Sequence, residues 1–197
     1  MANLQQLLPL LLLLCVHVLP SARAAFNVVA FGAKPDGKTD STTAFLRAWA
    51  AACSSTGAAT IYVPPGQYLV GLASFQGPCR NNAMEIWIDG TILAPSYYSG
   101  HGESGQWLAF SGVDGLAING GTLDGQGASL WACKGSGGNC PLGATSLTIN
   151  HSKNVKISKL ASTNSQLFHI AVYGCSGVAV EGAKITAPGD SPNTDGI

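Results

Sequence analysis

Charge is the property that this sequence has least of. Only 10% of its 197 residues are charged, ten basic and ten acidic, which gives a formal net charge of zero. Affinity for nucleic acid depends on clustered Lys and Arg, so no nucleic-acid partner is expected. Hydrophobic residues nevertheless make up 46% of the chain, far from the polar, highly charged composition that keeps a protein disordered. We therefore expect an ordered domain with a core.

The chain also lacks an N-terminal apolar run long enough to cross a bilayer as a helix. The run over residues 7–19 has thirteen residues, whereas a membrane-spanning helix needs roughly 20. Small residues follow it, and Ala22 and Ala24 fit a cleavage site. We predict a signal peptide over residues 1–24, secretion to the cell exterior, and no membrane association after cleavage. An uncleaved anchor is the alternative.

A third absence concerns metal-binding spacings. The six cysteines include no Cys-x-x-Cys pair and no paired Cys/His spacing, which makes zinc binding the weaker explanation for them. In an exported chain, disulfides are the expected use. Cys133 and Cys140 flank a glycine-rich loop that is flexible enough to close on itself, and Cys53 with Cys79 is the second expected pair. Cys175 is then either buried and free or paired with a residue outside this sequence.

A helix is predicted near the N terminus. The apolar residues that recur there at helical spacing are Ala44, Phe45, Ala48, Trp49 and Ala52. Asp40 or Ser41 supplies the N-cap, and the helix is expected to end near Gly57. Its single buried face suits a cap over the open end of a stack of strands. Before this helix we predict a strand over residues 26–31 and a turn-rich loop over residues 32–40.

Beyond the helix the apolar period changes to two, which indicates strands separated by turns. Strand-like stretches occupy residues 61–63, 68–70 and 86–88. A longer repeat follows, in which three apolar residues are each followed six and eight positions later by an apolar pair. The three residues are Phe110, Ile149 and Val172, and their pairs are Leu116 and Ile118, Val155 and Ile157, Val178 and Val180.

The spacing of this repeat points to a solenoid. Ile149 and Val172 are 23 residues apart, a period typical of coils that stack equivalent side chains. The preceding step, from Phe110, is longer and contains the loop 133–140, which we interpret as an excursion from one coil. A β-sandwich of hairpins is the alternative, but it would place strands about every 8 to 12 residues with two-residue turns. The pattern favours the parallel solenoid.

Several motifs resemble those of one family. Segment 31–45, which begins Phe-Gly-Ala-Lys-Pro-Asp-Gly, resembles the opening motif of plant polygalacturonases (glycoside hydrolase family 28) and related pectinolytic enzymes. The resemblance continues through segments 75–79, 88–95, 120–133 and 164–170. It implies an all-β fold, a right-handed single-stranded parallel β-helix of the pectin-lyase-like type, with the N-terminal helix as its cap. Residues 25–197 would form the N-terminal part of the catalytic domain.

The most specific match is Ser-Pro-Asn-Thr-Asp-Gly at positions 191–196. By position, the resemblance implies that Asp195 is a catalytic aspartate and that Asn193 contacts the substrate. The family inverts the anomeric configuration, so that one carboxyl group protonates the leaving oxygen while carboxylate on the other face activates water. The implied substrate is the α-1,4-linked galacturonate backbone of pectin, cleaved in the cell wall by a monomer with no metal or organic cofactor.

The family's later motifs have no counterpart in this sequence. They are an adjacent aspartate pair that includes the general acid, a glycine-flanked histidine, and an Arg-x-Lys that holds the uronate carboxylate. We therefore expect a C-terminally incomplete β-helix, whose open end leaves the chain marginally stable and prone to aggregation. Two alternatives stay open: a catalytically inactive polysaccharide-binding fragment, and a pectate or rhamnogalacturonan lyase on the same fold, which would need carboxylates clustered for Ca²⁺.

Three other residues are expected to have structural roles. His169 lies between two apolar residues, and we expect it to be a satisfied, partly buried histidine. Trp107 and Trp131 are expected to pack in the interior rather than to stack on sugar rings. None of the three is assigned a catalytic role.

The one sequon, Asn150-His-Ser, predicts N-glycosylation at Asn150. The secreted protein is expected to lose mass on enzymatic deglycosylation, and this loss is expected to disappear in Asn150→Gln. An unchanged mass in the wild-type protein would contradict the prediction.

Overall fold

The computed structural model describes residues 24–97, 105–192 and 194–197. The predicted signal peptide therefore lies almost wholly outside the described residues. The helices are a short 3-10 helix, Val28–Phe31, and two α-helices, α1 Thr42–Ser54 and α2 Ala128–Gly135. No helix in the described part of the chain is long and apolar enough to span a bilayer. The strands are β1 Ala24–Asn27, β2 Asp36–Asp40, β3 Ala59–Val63, β4 Gln67–Leu69, β5 Ala73–Gln76, β6 Met84–Ile88, β7 Thr91–Leu93, β8 Gln106–Ser111, β9 Asp114–Asn119, β10 Thr122–Asp124, β11 Thr145–Asn150, β12 Lys153–Ser158, β13 Ala161–Thr163, β14 Ile170–Tyr173, β15 Ser176–Glu181 and β16 Lys184–Thr186.

These strands form three parallel sheets. Sheet A has the order β1-β3-β6-β9-β12-β15, sheet B has the order β2-β4-β7-β10-β13-β16, and sheet C has the order β5-β8-β11-β14. The chain passes through a strand of A, then of B, then of C, and each new coil adds one strand to each sheet. The fold is therefore the parallel β-helix that the sequence repeat predicted.

Equivalent side chains of successive coils stack on one another inside the solenoid. In sheet C, Ile149 is paired with Phe110 on one side and with Val172 on the other. The corresponding ladders of sheet A are Leu116–Val155–Val178 and Ile118–Ile157–Val180. The repeat predicted from the sequence is thus confirmed residue by residue. Each fully buried aliphatic side chain contributes about 1.5–3 kcal/mol relative to exposure.

Helix α1 caps one end of this stack, as predicted. Its buried residues are the five of the predicted stripe, Ala44, Phe45, Ala48, Trp49 and Ala52. The ring of Trp49 packs on Phe75 and Phe110, with centroid distances of 5.4 Å to each. Phe75 and Phe110 are themselves stacked at 4.6 Å. In the first coil, α1 follows β1 and β2 directly and so takes the place of a sheet C strand.

Both ends of α1 are fixed by local interactions. At the N terminus the carboxylate of Asp40 accepts a hydrogen bond from the backbone N–H of Thr42, at 2.8 Å, which satisfies a donor that the helix leaves free. At the C-terminal end, Cys53 is bonded to Cys79 in the loop that follows β5. The cap is therefore covalently attached to the coil beneath it.

Two of the three corners of the solenoid are tight. Only two residues separate the strands at the C-to-A and A-to-B corners of the last three coils. The first residue of each pair has a positive φ: Gly112, His151 and Gly174 at one corner, and Gly120, Lys159 and Gly182 at the other. A single left-handed residue redirects the chain within a very short segment. The corners therefore stack as regularly as the strands do.

The corner between sheets B and C, called the B–C corner below, carries the longest connections. Twelve residues separate β7 from β8, and twenty separate β10 from β11. The second of these connections contains α2 and the disulfide between Cys133 and Cys140. It corresponds to the excursion that the irregular repeat indicated.

Three local predictions are corrected by the structure. Only the first part of the predicted strand 26–31 is extended, because the Asn27 side chain accepts a hydrogen bond from Val29 N–H at 2.9 Å and starts the 3-10 helix. The predicted loop 32–40 contains β2, a mostly exposed strand that pairs with β4 and shows no apolar alternation. Helix α2 was not predicted, since eight residues that include a glycine show little periodicity.

The aromatic contact between the cap and the first coils should dominate stability. Phe110→Ala is expected to lower the free energy of unfolding by about 3–5 kcal/mol, because it removes the ring that contacts both Trp49 and Phe75. Urea denaturation measures this. Leu142→Ala, at a side chain that is 63% exposed, is the control and should change stability by no more than about 0.5 kcal/mol. Equal effects in the two variants would contradict the packing described here.

Candidate active site

Asp195 lies at the end of sheet C that is opposite the cap. The backbone N–H groups of His169 and Ile170 donate hydrogen bonds to the carbonyl oxygens of Asp195 and Gly196, both at 3.0 Å. These two bonds continue the parallel ladder of β14 by one coil. The side chain of Asp195 is exposed. Its main chain is therefore fixed to the sheet while its carboxylate is open to solvent.

A hydroxyl-bonded turn leads into Asp195. The backbone N–H of Ser191 donates to the carbonyl of Pro188 at 3.1 Å, and the hydroxyl oxygens of Ser191 and Thr194 are 2.7 Å apart. These bonds constrain the path by which the chain reaches Asp195. Asn193, the expected substrate contact, lies outside the described residues.

A buried polar pair adjoins the Asp195 segment. His169 and Ser162 have exposures of 0% and 1%, and Ser162 Oγ is 2.8 Å from Nδ1 of His169. Ser162 occupies the inward position of β13, in register with Leu123 of β10 and Ile185 of β16. A hydroxyl and an imidazole thus replace apolar groups inside the solenoid, next to the coil that carries Asp195.

Only one nitrogen of this imidazole is satisfied. Nε2 of His169 is buried and has no hydrogen-bond partner within the described ranges, so the expectation of a satisfied, partly buried histidine is wrong. Burial lowers the pKa of His169 because the imidazolium form loses its hydration, and a hydrogen bond to the Ser162 backbone opposes this only in part. The ring is therefore neutral around pH 7.

Further hydrogen bonds hold the B–C corner beside His169. Ser146 Oγ donates to Ser165 Oγ at 2.8 Å, and the Ser165 hydroxyl donates to the carbonyl of Phe168 at 2.7 Å. On the outer side, the Asn164 amide donates to the carboxylate of Asp124 at 3.1 Å. These contacts join two successive coils at the corner where Asp195 is presented. None of these contacts was predicted from the sequence.

A cleft of about 580 Å³ opens on the same corner, nearer the cap. Its polar lining includes Asp40, Ser96, Tyr97 and Gln126, and none of the described residues that line it is a Lys or Arg. Gln126 precedes the sheet C strand two coils before Asp195, and Leu72 precedes the strand four coils before it. Neighbouring strands are 4.7–4.9 Å apart, so these positions are roughly 10 and 19 Å from Asp195 along the axis.

The described residues supply one exposed carboxylate in the expected motif and no paired acid beside it. Asp190, the nearest acid along the chain, is exposed in the turn that the Ser191 N–H closes on Pro188. A single carboxylate can orient and deprotonate water, but protonation of a leaving oxygen needs a second acid. Across the described ranges, no three His, Cys, Asp or Glu side chains are grouped to hold a metal ion.

The remaining predicted residues occupy other parts of the fold. The structure joins Cys133 to Cys140 within the B–C corner, and Cys53 to Cys79 beside the cap. Cys175 is half-buried and forms no disulfide with another described residue. Asn150 ends β11, where it is half-buried and its amide nitrogen lies 3.4 Å from Ser111 Oγ, and its glycosylation stays a prediction.

The tryptophans differ sharply in exposure. Trp107 is 2% exposed, and its ring N–H donates to the carbonyl of Val70 at 2.9 Å, which confirms a packing role. Trp131 is half-buried. Trp87 is 46% exposed on the outer face of sheet A. No role was predicted for Trp87, because alternation with its inward neighbours shows only that its side chain points outward.

The fold first defines a class. The chain superposes on an exopolygalacturonase from Thermotoga maritima with a TM-score of 0.70 at 19% identity, covering 89% of this chain and 49% of that one. This likeness places the chain among the right-handed parallel β-helix proteins, as the sequence predicted.

The family follows from the sequence comparisons. Residues 53–197 match the model for glycosyl hydrolases family 28, and residues 25–73 match that for rhamnogalacturonase A/epimerase, pectate lyase-like proteins. The chain belongs to glycosyl hydrolase family 28.

Two plant relatives illustrate the closeness of the match. The chain is 48% identical over its whole length to a polygalacturonase from Prunus persica, of which it covers 51%. It is 40% identical, over 88% of its length, to an exopolygalacturonase from Zea mays, of which it covers 43%. The chain thus spans about half the length of the curated relatives it matches.

The buried histidine should make stability depend on pH. In the unfolded chain, His169 binds a proton below about pH 6.5. In the folded chain its pKa is lowered, so protonation needs a more acidic pH. The free energy of unfolding is therefore expected to fall as the pH drops below about 6.5. Urea denaturation between pH 5 and 7 measures how steeply this free energy changes with pH. The slope should be smaller in His169→Gln than in the wild type, by up to about 1.4 kcal/mol per pH unit.

A surface histidine provides the control for this measurement. His151 is exposed and has a φ of 45°, a conformation that asparagine tolerates. His151→Asn is expected to keep the wild-type slope, because it leaves His169 in place. If His169→Gln also kept that slope, His169 would not be the titrating group.

Proposed function

We propose that this chain is the N-terminal portion of a glycoside hydrolase that cleaves α-1,4-galacturonosyl linkages in pectin and polygalacturonate. The observation that carries the proposal is the position of Asp195, an exposed carboxylate at the B–C corner of a family 28 β-helix. The polygalacturonase from Prunus persica, 48% identical over the whole chain, supports the substrate class.

In this proposal Asp195 supplies one carboxylate of an inverting set. It helps to activate the attacking water, and Asn193 contacts the sugar at the cleavage site. A second carboxyl group, from outside these 197 residues, protonates the leaving oxygen from the other face, about 6.5–9.5 Å away, which leaves room for the water. Attachment of the Asp195 main chain to His169 and Ile170 supports the assignment, because a carboxylate held in place needs little reorganisation during reaction.

The polysaccharide is proposed to lie along the B–C corner. The cleft beside Tyr97 and Gln126 is on that corner, within about four coils of Asp195, and so lies on the axis that an extended chain would follow. Its hydroxyl and amide groups can bind sugar hydroxyls. Since no Lys or Arg is found among the described residues that line it, the groups that neutralise uronate carboxylates would be supplied by other coils.

The cellular setting follows from the same proposal. Residues 1–24 direct export, and the mature protein acts as a monomer outside the cell, in the cell wall. Hydrolysis needs no organic cofactor, since water is the second substrate.

One alternative has an observation in its favour. The described residues contain no second acid beside Asp195, so the 197-residue chain alone could bind polysaccharide without cleaving it.

For the lyase alternative, no cluster of three metal-ligating side chains occurs within the described ranges. A lyase would release an unsaturated product that absorbs in the ultraviolet, and hydrolysis would not.

Asp195→Asn tests the catalytic assignment. In the complete protein, this substitution is expected to lower kcat on polygalacturonic acid by about 10²–10⁴-fold, because the amide cannot accept a proton from water. Release of reducing ends measures the rate. The 197-residue chain alone is expected to show no hydrolysis.

Asp190→Asn is the matched control, since it removes an exposed carboxylate five residues away. It is expected to retain full activity. Retained activity in Asp195→Asn would refute the role of Asp195. Hydrolysis by the 197-residue chain that is lost in Asp195→Asn would show that the general acid lies within it.

A further inference from the structure

The outer face of sheet A carries two aromatic side chains far from the proposed catalytic role. Tyr62 of β3 and Trp87 of β6 are partners in the parallel ladder. Both alternate with buried aliphatic residues and so point away from the core. Trp87 is 46% exposed, whereas Trp49 and Trp107 are 4% and 2% exposed. Because Tyr62 lies beside Trp87 in the ladder, the two rings form one aromatic patch on the outer face of the sheet.

One carboxylate holds both rings in place. The Tyr62 hydroxyl donates to Oδ2 of Asp89 at 2.8 Å, and the indole N–H of Trp87 donates to Oδ1 at 2.9 Å. The bond to Asp89 also raises the pKa of Tyr62, so the phenol stays neutral. With their polar tips already bonded, the rings offer mainly their apolar faces to a ligand. Little side-chain freedom remains to be lost on binding.

The charge of this face disfavours an acidic polysaccharide. Asp89 lies directly between the two aromatic tips, and Glu85 is two residues from Trp87 on the same face. Further along the face, Lys156 is already paired with Glu181 at 2.9 Å. A polyuronate would bring its carboxylates against those of Asp89 and Glu85, and like charges at short range repel.

Neutral side chains hold both carboxylates in place. Asp89 accepts the two aromatic hydrogen bonds. Glu85 accepts one from the Thr60 hydroxyl at 3.1 Å and one from the Asn119 amide at 2.8 Å. Beside these fixed carboxylates, the face offers a ligand the apolar surface of the rings.

We propose that Tyr62 and Trp87 form a surface site for a neutral β-linked polysaccharide, separate from the B–C corner. A pyranose ring whose substituents are all equatorial presents its C–H groups on both faces, and such groups pack favourably on aromatic rings. The row of Trp87 continues across the sheet through Asn119 and Ser158, whose amide and hydroxyl match sugar hydroxyls. The site anchors the chain to a glucan and requires neither Asp195 nor hydrolysis.

The test is depletion of the purified chain from solution by microcrystalline cellulose. The wild-type chain is expected to be retained, and Trp87→Ala should weaken retention by about tenfold or more. Trp87→Phe keeps a ring and should stay within about threefold of wild type. A polygalacturonate gel without cellulose should not retain the chain through this face, so Trp87→Ala should leave any retention on that gel unchanged.

Two controls separate this proposal from misfolding and from the catalytic proposal. Thermal unfolding should be nearly the same in Trp87→Ala and wild type, since the side chain is exposed. Tyr173→Ala removes a 51% exposed aromatic from sheet C and should keep full retention, as should Asp195→Asn. The proposal is overturned if wild type is not retained on cellulose, if Trp87→Ala is retained equally, or if the face captures only a basic peptide such as polylysine.

Discussion

The stacking of equivalent inward side chains, coil upon coil, is the constraint on which the rest of the structure depends. Ile149 is paired with Phe110 and Val172 because the strands are in parallel register. One extra residue in a strand would turn its apolar side chains outward. In the last three coils, the tight corners therefore keep a constant length and begin with a left-handed residue. Variation in length is concentrated at the B–C corner, which is also where Asp195 is presented.

Much of this architecture could be predicted, since the stacked ladders repeat in the sequence. The 23-residue step and the apolar pairs identified partners that lie in adjacent coils, and the helical stripe from Ala44 to Ala52 identified the cap. The missed elements lack such a signal. Strand β2 is held by backbone bonds to β4 and is mostly exposed, and α2 is too short for its periodicity to be recognised.

The candidate site was only partly predictable. The motif around Asp195 identified the exposed carboxylate, because the motif is local in sequence. Its surroundings are not local: Ser162 reaches His169 across a corner, and Asp89 joins two strands by binding Tyr62 and Trp87. These contacts depend on the register of neighbouring coils and on the path of each corner. Composition and spacing alone do not determine either.

The tight corners have a consequence for how a groove on this solenoid can change. Backbone hydrogen bonds between strands fix the spacing of successive coils at about 4.8 Å. The distance from the capped end to Asp195 can therefore change only by the addition or loss of whole coils. The breadth and depth of the groove depend instead on the loops of the B–C corner, which can vary residue by residue. Groove length and groove cross-section are thus encoded in separate parts of the sequence and can diverge independently.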